Sequence, residues 1–246
     1  WDMGLDGTTP LEIEHEGEPL AGYVVGDGPK VILAHGWGGR AAQMAGLAKA
    51  IAERGHTAVA FDAPAHGELR GRRTNAFEMA AGWRSVIEET GPFVGAVTHS
   101  LGAMSLLHAT TSNVPERVVM VSPVLDIEEV LETFSSRAGL TPWASRGLRS
   151  RVKSFIGEHW DEFAAGRHAD LGDATVLIVH DPDDQDASFA TSATLAATRP
   201  NTSIFATHAL GHTRILRDAG VSSVIADFVS GQAAGSQSLE ALNLTA

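Results

Sequence analysis

Ser100 is the residue whose setting in the sequence points most directly to chemistry. It is the centre of THSLG (98–102), which lies between an apolar, strand-like run and a helix-forming stretch. This arrangement approximates G-x-S-x-G, a strained strand-to-helix turn that exposes a serine oxygen for attack on an acyl carbonyl. The tight turn needs small residues two positions either side of the serine; Gly102 fits, whereas Thr98 replaces the usual glycine. A serine that merely begins a helix as its N-cap is the alternative.

A glycine-rich loop follows another strand-like run, where the sequence reads HGWGG (35–39). Glycines in such a place let the backbone approach a ligand closely and turn its N–H groups toward it. Backbone N–H groups of this kind stabilise the oxyanion that forms during acyl transfer. Because an ordinary strand-to-helix turn also contains glycines, the loop supports this chemistry only together with the turn at Ser100.

Four carboxylates follow the strand-like run 175–180, at Asp181, Asp183, Asp184 and Asp186. Acidic residues after a strand often only shape a turn or cap the next helix. Asp181 lies close to the strand end, and Asp186 is near enough to the next helix to serve as its N-cap. The residues alone leave Asp183 and Asp184 as candidates for an acid that orients a histidine.

Two histidines after the last strand-like run are candidates for the base. His212, in LGHT (210–213), opens the final helix-forming stretch and follows a glycine that frees the loop. His208 competes with it but lies nearer the strand end, so we prefer His212. His66, in the turn DAPAHG (62–67), is expected to have a structural role, and no metal site is predicted from the eleven histidines.

The elements that must position these residues follow from the alternation of short apolar runs with longer helix-forming stretches. This pattern is typical of a mostly parallel sheet whose strands are joined through helices. Buried strands are predicted at residues 31–35, 57–62, 94–99, 118–122, 175–180 and 203–207. Helices are predicted at about residues 41–53, 76–89, 101–110, 187–197 and 213–229. Continuous apolar character indicates strands covered by helices on both faces. Residues 11–15 and 22–25 are interpreted as an opening antiparallel hairpin or edge.

The stretch 123–173 interrupts the alternation, because it contains helix-like pieces and no strand-like run. The helix-like pieces lie near residues 127–134, 143–155 and 159–163. A segment of about fifty residues is too long for a plain connection. We therefore predict a helical cap inserted into a single domain that spans residues 1–246. The tail 231–246 is rich in small and polar residues and is expected to be loosely held.

These segments together resemble the α/β-hydrolase superfamily, in particular its small bacterial esterase-like members. The similarity covers nearly the whole chain and rests on HGWGGRAAQM (35–44), FDAPAHG (61–67), THSLGA (98–103), LIVHDPDD (177–184) and ALGHTRILRD (209–218). The resemblance implies the α/β fold class: a mostly parallel sheet with helices on both faces and a short helical cap.

The resemblance also implies roles for individual residues. Ser100 would be the nucleophile and His212 the general base. The backbone N–H groups of Trp37 and Leu101 would form the oxyanion hole.

The acid is assigned by the same resemblance. Members of the superfamily commonly place it four positions after the histidine that ends this strand, and counting from His180 gives Asp184. The sequence departs from the pattern at Thr98 in the serine turn and at Asp181, where many relatives have glycine. Neither departure removes a reacting group.

Composition narrows the range of functions further. The chain has 246 residues, a formal net charge of −12 and no cysteine. The negative charge disfavours nucleic acid and anionic membranes as partners, and the lack of cysteine excludes disulfides, thiolate metal sites and a cysteine nucleophile. Because no apolar run reaches the roughly 18 residues of a membrane-spanning helix, and the first residues do not resemble a signal peptide, we expect a cytoplasmic protein with no membrane insertion.

The expected activity is hydrolysis of a carboxylic ester through an acyl-enzyme intermediate, with a small acyl compound as substrate and no cofactor or metal. The same residues would serve a thioesterase, acyltransferase, perhydrolase or C–C bond hydrolase. The alternative from another class is a binding protein that kept the fold without activity. Dehalogenases and epoxide hydrolases of this fold use an aspartate nucleophile, so Ser100 argues against both.

Aromatic residues of the predicted cap are candidates for an apolar wall over the serine, since ligand pockets are mostly lined by such side chains. These candidates are Phe134, Trp143, Phe155 and Trp160. Packing of the cap against the domain is the alternative role for each of them. Because the cap is short, compact or medium-length acyl esters are expected rather than long lipids.

Overall fold

A mostly parallel sheet forms the centre of the computed structural model, which describes residues 7–67, 74–110, 114–161 and 171–232. The described strands are β1 (Thr8–Pro10), β2 (Glu14–His15), β3 (Glu18–Pro19), β4 (Gly22–Val25), β5 (Lys30–Ala34), β6 (Thr57–Phe61), β7 (Phe93–His99), β8 (Arg117–Val121), β9 (Thr175–His180) and β10 (Thr202–Ala206). The described α-helices are α1 (Ala45–Ala52), α2 (Ala76–Thr90), α3 (Leu101–Ala109), α4 (Ile127–Arg137), α5 (Pro142–Ile156), α6 (Phe189–Thr198), α7 (Gly211–Arg214) and α8 (Ala219–Val229). Short 3-10 helices are found at Ala41–Met44, Gly157–His159 and Ile215–Arg217.

Eight strands form one sheet in the order β1-β4-β6-β5-β7-β8-β9-β10. β4 pairs antiparallel with β1 and β6, whereas the pairings from β6 across to β10 are parallel. The carboxyl ends of β5, β7, β8 and β9 therefore lie along one edge, where ligands bind in open parallel sheets. The predicted fold class is confirmed.

Side chains of the central strands alternate between two covered faces. On β5, Val31 and Leu33 join a core cluster that contains residues of α1 and α8, whereas Ile32 and Ala34 join a second cluster with residues of α2 and α3. All four side chains are fully buried. Burial on both faces explains why the strand reads as a continuous apolar run.

The amino-terminal edge is antiparallel, as expected of the hairpin or edge predicted at residues 11–15 and 22–25, but its strand pairing differs from a simple hairpin of these two segments. β4 pairs instead with the earlier strand β1, with Thr8 opposite Val25. β2 and β3 form a separate two-stranded ribbon. Leu11 and Ile13 are buried against the α2–α3 cluster. Their backbones still pair with the opposite segment, since the N–H of Leu11 donates to the carbonyl oxygen of Gly22 at 3.1 Å and the carbonyl oxygen of Ile13 accepts the N–H of Leu20 at 2.8 Å.

The last predicted helix, residues 213–229, is interrupted in the structure. α7 and the 3-10 helix Ile215–Arg217 come first, and α8 begins only after Asp218. Asp218 has an extended backbone, and its carboxylate accepts a hydrogen bond from the N–H of Val221 at 2.9 Å. An aspartate in this N-cap arrangement begins a new helix, so one continuous helix was the wrong prediction.

The predicted cap region contains α4 and α5, and the described residues 123–161 and 171–173 include no strand. Neither helix has a buried residue. Ile127, Val130 and Ile156 are partly buried against the core cluster that includes Leu101, so the two helices lie on the face of the domain that carries α3. Arg149 of α5 pairs with Glu128 of α4.

Two sequence predictions extend outside the described residues. The helix-like piece at 159–163 ends beyond residue 161, and the tail 231–246 is described only to residue 232. None of the helices in the described part of the chain combines the length and apolar composition needed to cross a membrane.

Candidate active site

Ser100 lies in the turn between β7 and α3, and its backbone is strained. Its φ is 53° and its ψ is −127°, a conformation that costs a non-glycine residue on the order of 1–3 kcal/mol. A Cβ at Gly36 would lie 2.7 Å from Cβ of Ser100, and one at Gly102 would lie 2.5 Å from the carbonyl oxygen of His35. Only glycine at these two positions lets the β5 loop and α3 approach the serine turn so closely.

Thr98 occupies the position of the usual glycine, and its contacts explain why the turn accepts it. The residue is still part of β7, opposite Ala34 on one side and Met120 on the other. Its hydroxyl donates a hydrogen bond to the carbonyl oxygen of Val119 on β8, 3.2 Å away. A β-branched side chain suits such a strand position, so the buried hydroxyl is satisfied and the turn keeps its shape.

His212, in α7, connects Ser100 to a carboxylate. Its Nε2 lies 2.9 Å from Oγ of Ser100, and its Nδ1 lies 2.8 Å from Oδ2 of Asp184. Oγ of Ser100 makes no capping hydrogen bond to α3, so the simple N-cap alternative does not describe its contacts. The competing histidine, His208, is exposed.

Asp184 is the one of the four candidate carboxylates that contacts His212. Its side chain is fully buried, and its Oδ1 accepts hydrogen bonds from the N–H groups of Asp186 at 2.8 Å and Ala187 at 3.1 Å. Asp186, expected as the N-cap of the next helix, is instead exposed, and Ser188 caps α6. The expectation failed because the N–H of Asp186 is bound by Asp184 and the helix begins two residues later.

Hydrogen bonds keep the Asp184 carboxylate ionised. Burial by itself would raise its pKa, but the interactions with the side chains of His180 and His212 and the hydrogen bond from the N–H of Asp186 lower the pKa far below the ordinary value for an aspartate. An ionised carboxylate accepts a hydrogen bond from the N–H at Nδ1 of His212, which keeps the proton on that nitrogen. The other ring nitrogen, Nε2, is then free to accept the proton of the serine hydroxyl.

Asp181 holds the loop that carries His212, a role that sequence reasoning missed. Its buried Oδ2 accepts hydrogen bonds from the N–H of Leu210 at 2.6 Å, the N–H of Gly211 at 3.0 Å and the hydroxyl of Thr207 at 3.3 Å. Burial acts to raise the pKa of Asp181, but these donors, together with the N–H of Asp183 on Oδ1, bring it below its ordinary value. The signal in the sequence was an acidic residue where glycine is common.

The loops that carry the two predicted oxyanion donors meet at Ser100. Trp37 follows the Gly36 that touches the serine turn, and Leu101 is the first residue of α3. Among the described residues, no hydrogen bond engages the backbone N–H of Trp37 or Leu101. Both groups are therefore available to a ligand oxygen.

Residues 31–232 match the model of the α/β-hydrolase family. The chain belongs to the α/β-hydrolase family. The resemblance found in the sequence is thereby confirmed, and hydrolase activity is supported. No curated protein matches the chain in sequence.

Solved structures with the same fold include several hydrolases. An esterase from Pyrococcus furiosus, Pf2001, has a TM-score of 0.69 at 18% identity, with 94% of each chain covered. Est1E from Butyrivibrio proteoclasticus with bound ferulic acid has a TM-score of 0.65 at 19% identity, covering 90% of this chain and 96% of the other. The meta-cleavage product hydrolase CumD from Pseudomonas fluorescens IP01, as its S103A mutant, has a TM-score of 0.66 at 17% identity, covering 90% and 97%. At these identities the likeness shows the shared fold.

In this α/β-hydrolase, His99 fixes the backbone of His212. The Nε2–H of His99 donates a hydrogen bond to the carbonyl oxygen of His212 at 2.8 Å, and the two rings lie 4.9 Å apart. Burial, reinforced by the nearby His212, lowers the pKa of His99 to about 4, so the ring is neutral near pH 7. Sequence reasoning gave His99 no role, although it stands inside the serine pentapeptide.

His66, for which a structural role was predicted, packs among residues of two loops near the site. Its ring packs beside His35, with centroids 5.2 Å apart, and against the edge of Trp37 at 5.5 Å. His35 in turn accepts the N–H of Ala63 on its Nε2 at 2.9 Å. These contacts tie the turn after β6 to the glycine-rich loop of this α/β-hydrolase.

The four aromatic residues predicted for the substrate pocket do not behave alike. Phe134, Trp143 and Phe155 are exposed, with Trp143 80% exposed, whereas Trp160 is 2% exposed. Trp160 lies under the charged groups of Arg149 and Lys153, 5.3 and 5.8 Å from its ring.

A small cleft lies between the start of α4 and the turn before α6. Its lining combines apolar residues, among them Val124, Val130 and Ala187, with the acidic residues Asp126, Glu129 and Asp186. None of the four aromatic side chains is among its lining residues. The contact of those four residues with substrate therefore stays a prediction.

Asp184, Asp186 and His212 are close enough for one ligand atom from each to lie within 4.8 Å of the others. In the described structure, however, Asp184 and His212 are hydrogen-bonded to each other, and a cation between them would break that bond. The arrangement therefore fits proton transfer better than metal binding.

Proposed function

We propose that this α/β-hydrolase is a serine hydrolase that cleaves a carboxylic ester through an acyl-enzyme intermediate. The observation that carries the proposal is the position of His212, which bridges Oγ of Ser100 at 2.9 Å and Oδ2 of Asp184 at 2.8 Å. A nucleophile hydrogen-bonded to a base, which is itself oriented by an acid, is the arrangement that activates a serine hydroxyl.

In the first half of the reaction, Oγ of Ser100 attacks the ester carbonyl while Nε2 of His212 takes the serine proton. The resulting imidazolium is stabilised by the buried Asp184 carboxylate. Collapse of the tetrahedral intermediate breaks the bond to the leaving alcohol, which receives the proton from Nε2. The acyl group is then bound to Ser100 as an ester.

The oxyanion of the tetrahedral intermediate would be bound by the backbone N–H groups of Trp37 and Leu101. Neither group has a hydrogen-bond partner among the described residues, and Leu101 also lies at the N-terminus of α3, where the helix dipole favours negative charge. Loss of one such donor typically costs roughly 3–4 kcal/mol of transition-state stabilisation.

In the second half, His212 activates water by accepting its proton, and the hydroxide attacks the acyl carbonyl. The second tetrahedral intermediate releases a carboxylic acid, and the proton on Nε2 returns to Oγ of Ser100. The chain then needs no cofactor, because the side chains supply both the nucleophile and the proton transfers.

Compact or medium-length acyl esters are the proposed substrates; the cleft at the start of the cap region is too small and too acidic, with Asp126, Glu129 and Asp186 in its lining, to be assigned to the acyl chain. The N–H of Val124, which lines this cleft, donates to the carbonyl oxygen of Ser100 at 3.1 Å, so the cleft adjoins the serine turn. The Pyrococcus furiosus protein with this fold is named an esterase, which agrees with an ester substrate.

The proposal is tested by Ser100→Ala on a panel of soluble esters, thioesters and amides of varied chain length. The variant should lose ester hydrolysis and keep its fold, because only the nucleophilic oxygen is removed. Ser122→Ala is a matched control, since Ser122 is also buried, follows the next strand and has a positive φ of 44°. Substantial ester hydrolysis by Ser100→Ala, or equal losses in the two variants, would contradict the proposal.

A further inference from the structure

His180 and Ser192 form a buried polar pair directly behind Asp184. His180 ends β9 and Ser192 lies in α6, and both are fully buried. Nδ1 of His180 is 2.7 Å from Oγ of Ser192. On the other side of the ring, Nε2 lies 3.4 Å from Oδ2 of Asp184, the same oxygen that accepts the hydrogen bond from His212.

The neighbours of the ring determine which of its nitrogens carries the proton. If Nδ1 were protonated, the lone pair on Nε2 would face an ionised carboxylate oxygen, which is repulsive. If the hydroxyl of Ser192 donates to Nδ1, the proton is on Nε2 and its N–H dipole points to the carboxylate. No other hydrogen bond of the Ser192 hydroxyl is found among the described residues, so its proton is available to Nδ1.

The separation of Nε2 and Oδ2 defines the type of interaction. At 3.4 Å the contact is longer than an ordinary N–H···O hydrogen bond, and Nε2 has no hydrogen-bond partner within the described structure. A buried polar atom without a partner calls for a physical explanation. Attraction between the N–H dipole and the negative charge of Asp184 provides one, because such attraction is strong where water is excluded.

We propose that His180 and Ser192 are positioning residues for Asp184, with Ser192 setting the tautomer of His180 and the Nε2–H of His180 holding Oδ2 toward His212. The line of interacting side chains in the active site would then run from Ser100 through His212, Asp184 and His180 to Ser192. This inference rests on the proposed function, because Asp184 must act as the acid for its position to affect catalysis.

The surroundings of Asp184 support this assignment. Its Oδ1 is held by two backbone N–H groups, whereas Oδ2 receives only side-chain donors. His180 is also the largest of the interactions that lower the pKa of Asp184. His180 is held from other directions as well. Its ring packs against the ring of Phe189 with centroids 5.6 Å apart, and its backbone carbonyl oxygen accepts the N–H of Thr207.

Four variants test the proposal, with kcat and KM measured on one soluble ester substrate. Ser192→Ala removes the donor to Nδ1 at a residue that does not touch Ser100 or His212. His180→Leu removes the ring dipole, whereas His180→Gln keeps an N–H donor near the position of Nε2. The double variant Ser192→Ala/His180→Gln completes a cycle, and Ser222→Ala, at a buried serine in α8, is the matched control.

We expect Ser192→Ala to lower kcat about tenfold with KM unchanged, the lower end of what the hydrogen-bond partners of metal-bound histidines contribute. His180→Leu should lower kcat at least as much, and His180→Gln should restore it to within about threefold of the wild type. Ser192→Ala should have no further effect in the Gln background, because no tautomer remains to be set. A merely structural role would lower the thermal midpoint without this rescue.

The ¹⁵N spectrum of the wild-type histidines provides a readout that does not depend on turnover or on any variant folding. We expect His180 to carry its proton on Nε2, with Nδ1 unprotonated. A wild-type His180 protonated on Nδ1, or a Ser192→Ala variant with the kcat of Ser222→Ala, would overturn the inference and leave Ser100 as nucleophile. Ester hydrolysis retained by Ser100→Ala would instead overturn the proposed function.

Discussion

At the carboxyl edge of the sheet, the side chains of Ser100, Asp181 and Asp184 are buried and held by hydrogen bonds, whereas the two helices of the cap region have no buried residue at all. Asp181 and Asp184, in the turn after β9, accept hydrogen bonds from the loop that carries His212 and so connect this loop to the edge of the sheet. The cap helices are joined to each other and to the domain by partly buried aliphatic side chains and by exposed ion pairs such as Arg149 with Glu128.

From this difference we infer that the buried edge of the sheet carries out the chemistry, whereas the exposed cap helices act in the selection of substrate. Buried and fully bonded groups cannot move without leaving polar atoms unpaired, which costs about 1–3 kcal/mol for each group. Exposed ion pairs contribute about 0–1 kcal/mol to the free energy of unfolding. Changes in the sequence or position of the cap helices should therefore cost little stability. We therefore expect substitutions at the sheet edge to act on kcat and substitutions in the cap to act on substrate preference.

The largest effect on kcat is expected for Asp184→Asn, which replaces the buried carboxylate that contacts His212. An amide in place of the carboxylate can hold His212 in the wrong tautomer, and in a serine protease the same exchange lowered kcat by about ten thousand-fold. Asp186→Asn is the control, since Asp186 is exposed and two residues away. Steady-state kinetics on one ester would compare them, and similar losses in the two variants would contradict the assignment of the acid.

An effect of intermediate size is expected from pH, because the buried edge contains neutral histidines. Burial lowers the pKa of His35 and of His99 from 6.5 to about 4. As the pH falls from 6.5 toward 4, the unfolded chain takes up protons that the folded chain refuses. The free energy of unfolding should therefore decrease by roughly 1 kcal/mol per pH unit for each histidine in this window.

His99→Gln isolates that contribution, because glutamine can still donate to the carbonyl oxygen of His212 but does not titrate. Urea unfolding at pH 7 and pH 5 should show a smaller pH dependence in this variant than in the wild type. His208→Gln, at an exposed histidine, is the control. An unchanged pH dependence in His99→Gln would show that His99 is not held neutral by the fold.

The smallest effect on stability is expected at the exposed aromatic residues of the cap region. Trp143→Ala should change the free energy of unfolding by no more than about 0.5 kcal/mol, whereas Trp160→Ala, at a buried residue of the same type, should lower it by about 3–5 kcal/mol. Trp143→Ala should also alter the ratio of kcat/KM values between short and medium acyl chains. Equal kcat/KM ratios in variant and wild type would show that Trp143 does not contact the substrate.

The strands and the serine turn were predictable because their signals are local. A run such as residues 175–180 is almost entirely apolar because both of its faces are covered. The turn at Ser100 is indicated by the small residues that its close contacts require. The break before α8 was missed because Asp218 reads equally well as a polar position within a helix. In the structure, its extended backbone and the hydrogen bond that it accepts from the N–H of Val221 show that it is the N-cap of α8.

The residues that support His212 could not be identified from local sequence patterns, for a different reason. Asp181, Asp184 and His99 act through atoms that lie far away along the chain, up to the 113 positions between His99 and His212. Local propensity carries no information on such distances. The choice of Asp184 came from family resemblance, and the structure adds the contact with Nδ1 of His212.

The most direct test of the central claim is covalent labelling with a fluorophosphonate, followed by intact mass and peptide analysis. Oγ of Ser100 should form a bond to phosphorus with loss of fluoride, giving one adduct on the peptide that contains Ser100. Ser122→Ala should label like the wild type and Ser100→Ala should not label. An adduct on another residue, or a wild type that hydrolyses esters without being labelled, would contradict the assignment of Ser100 as the nucleophile.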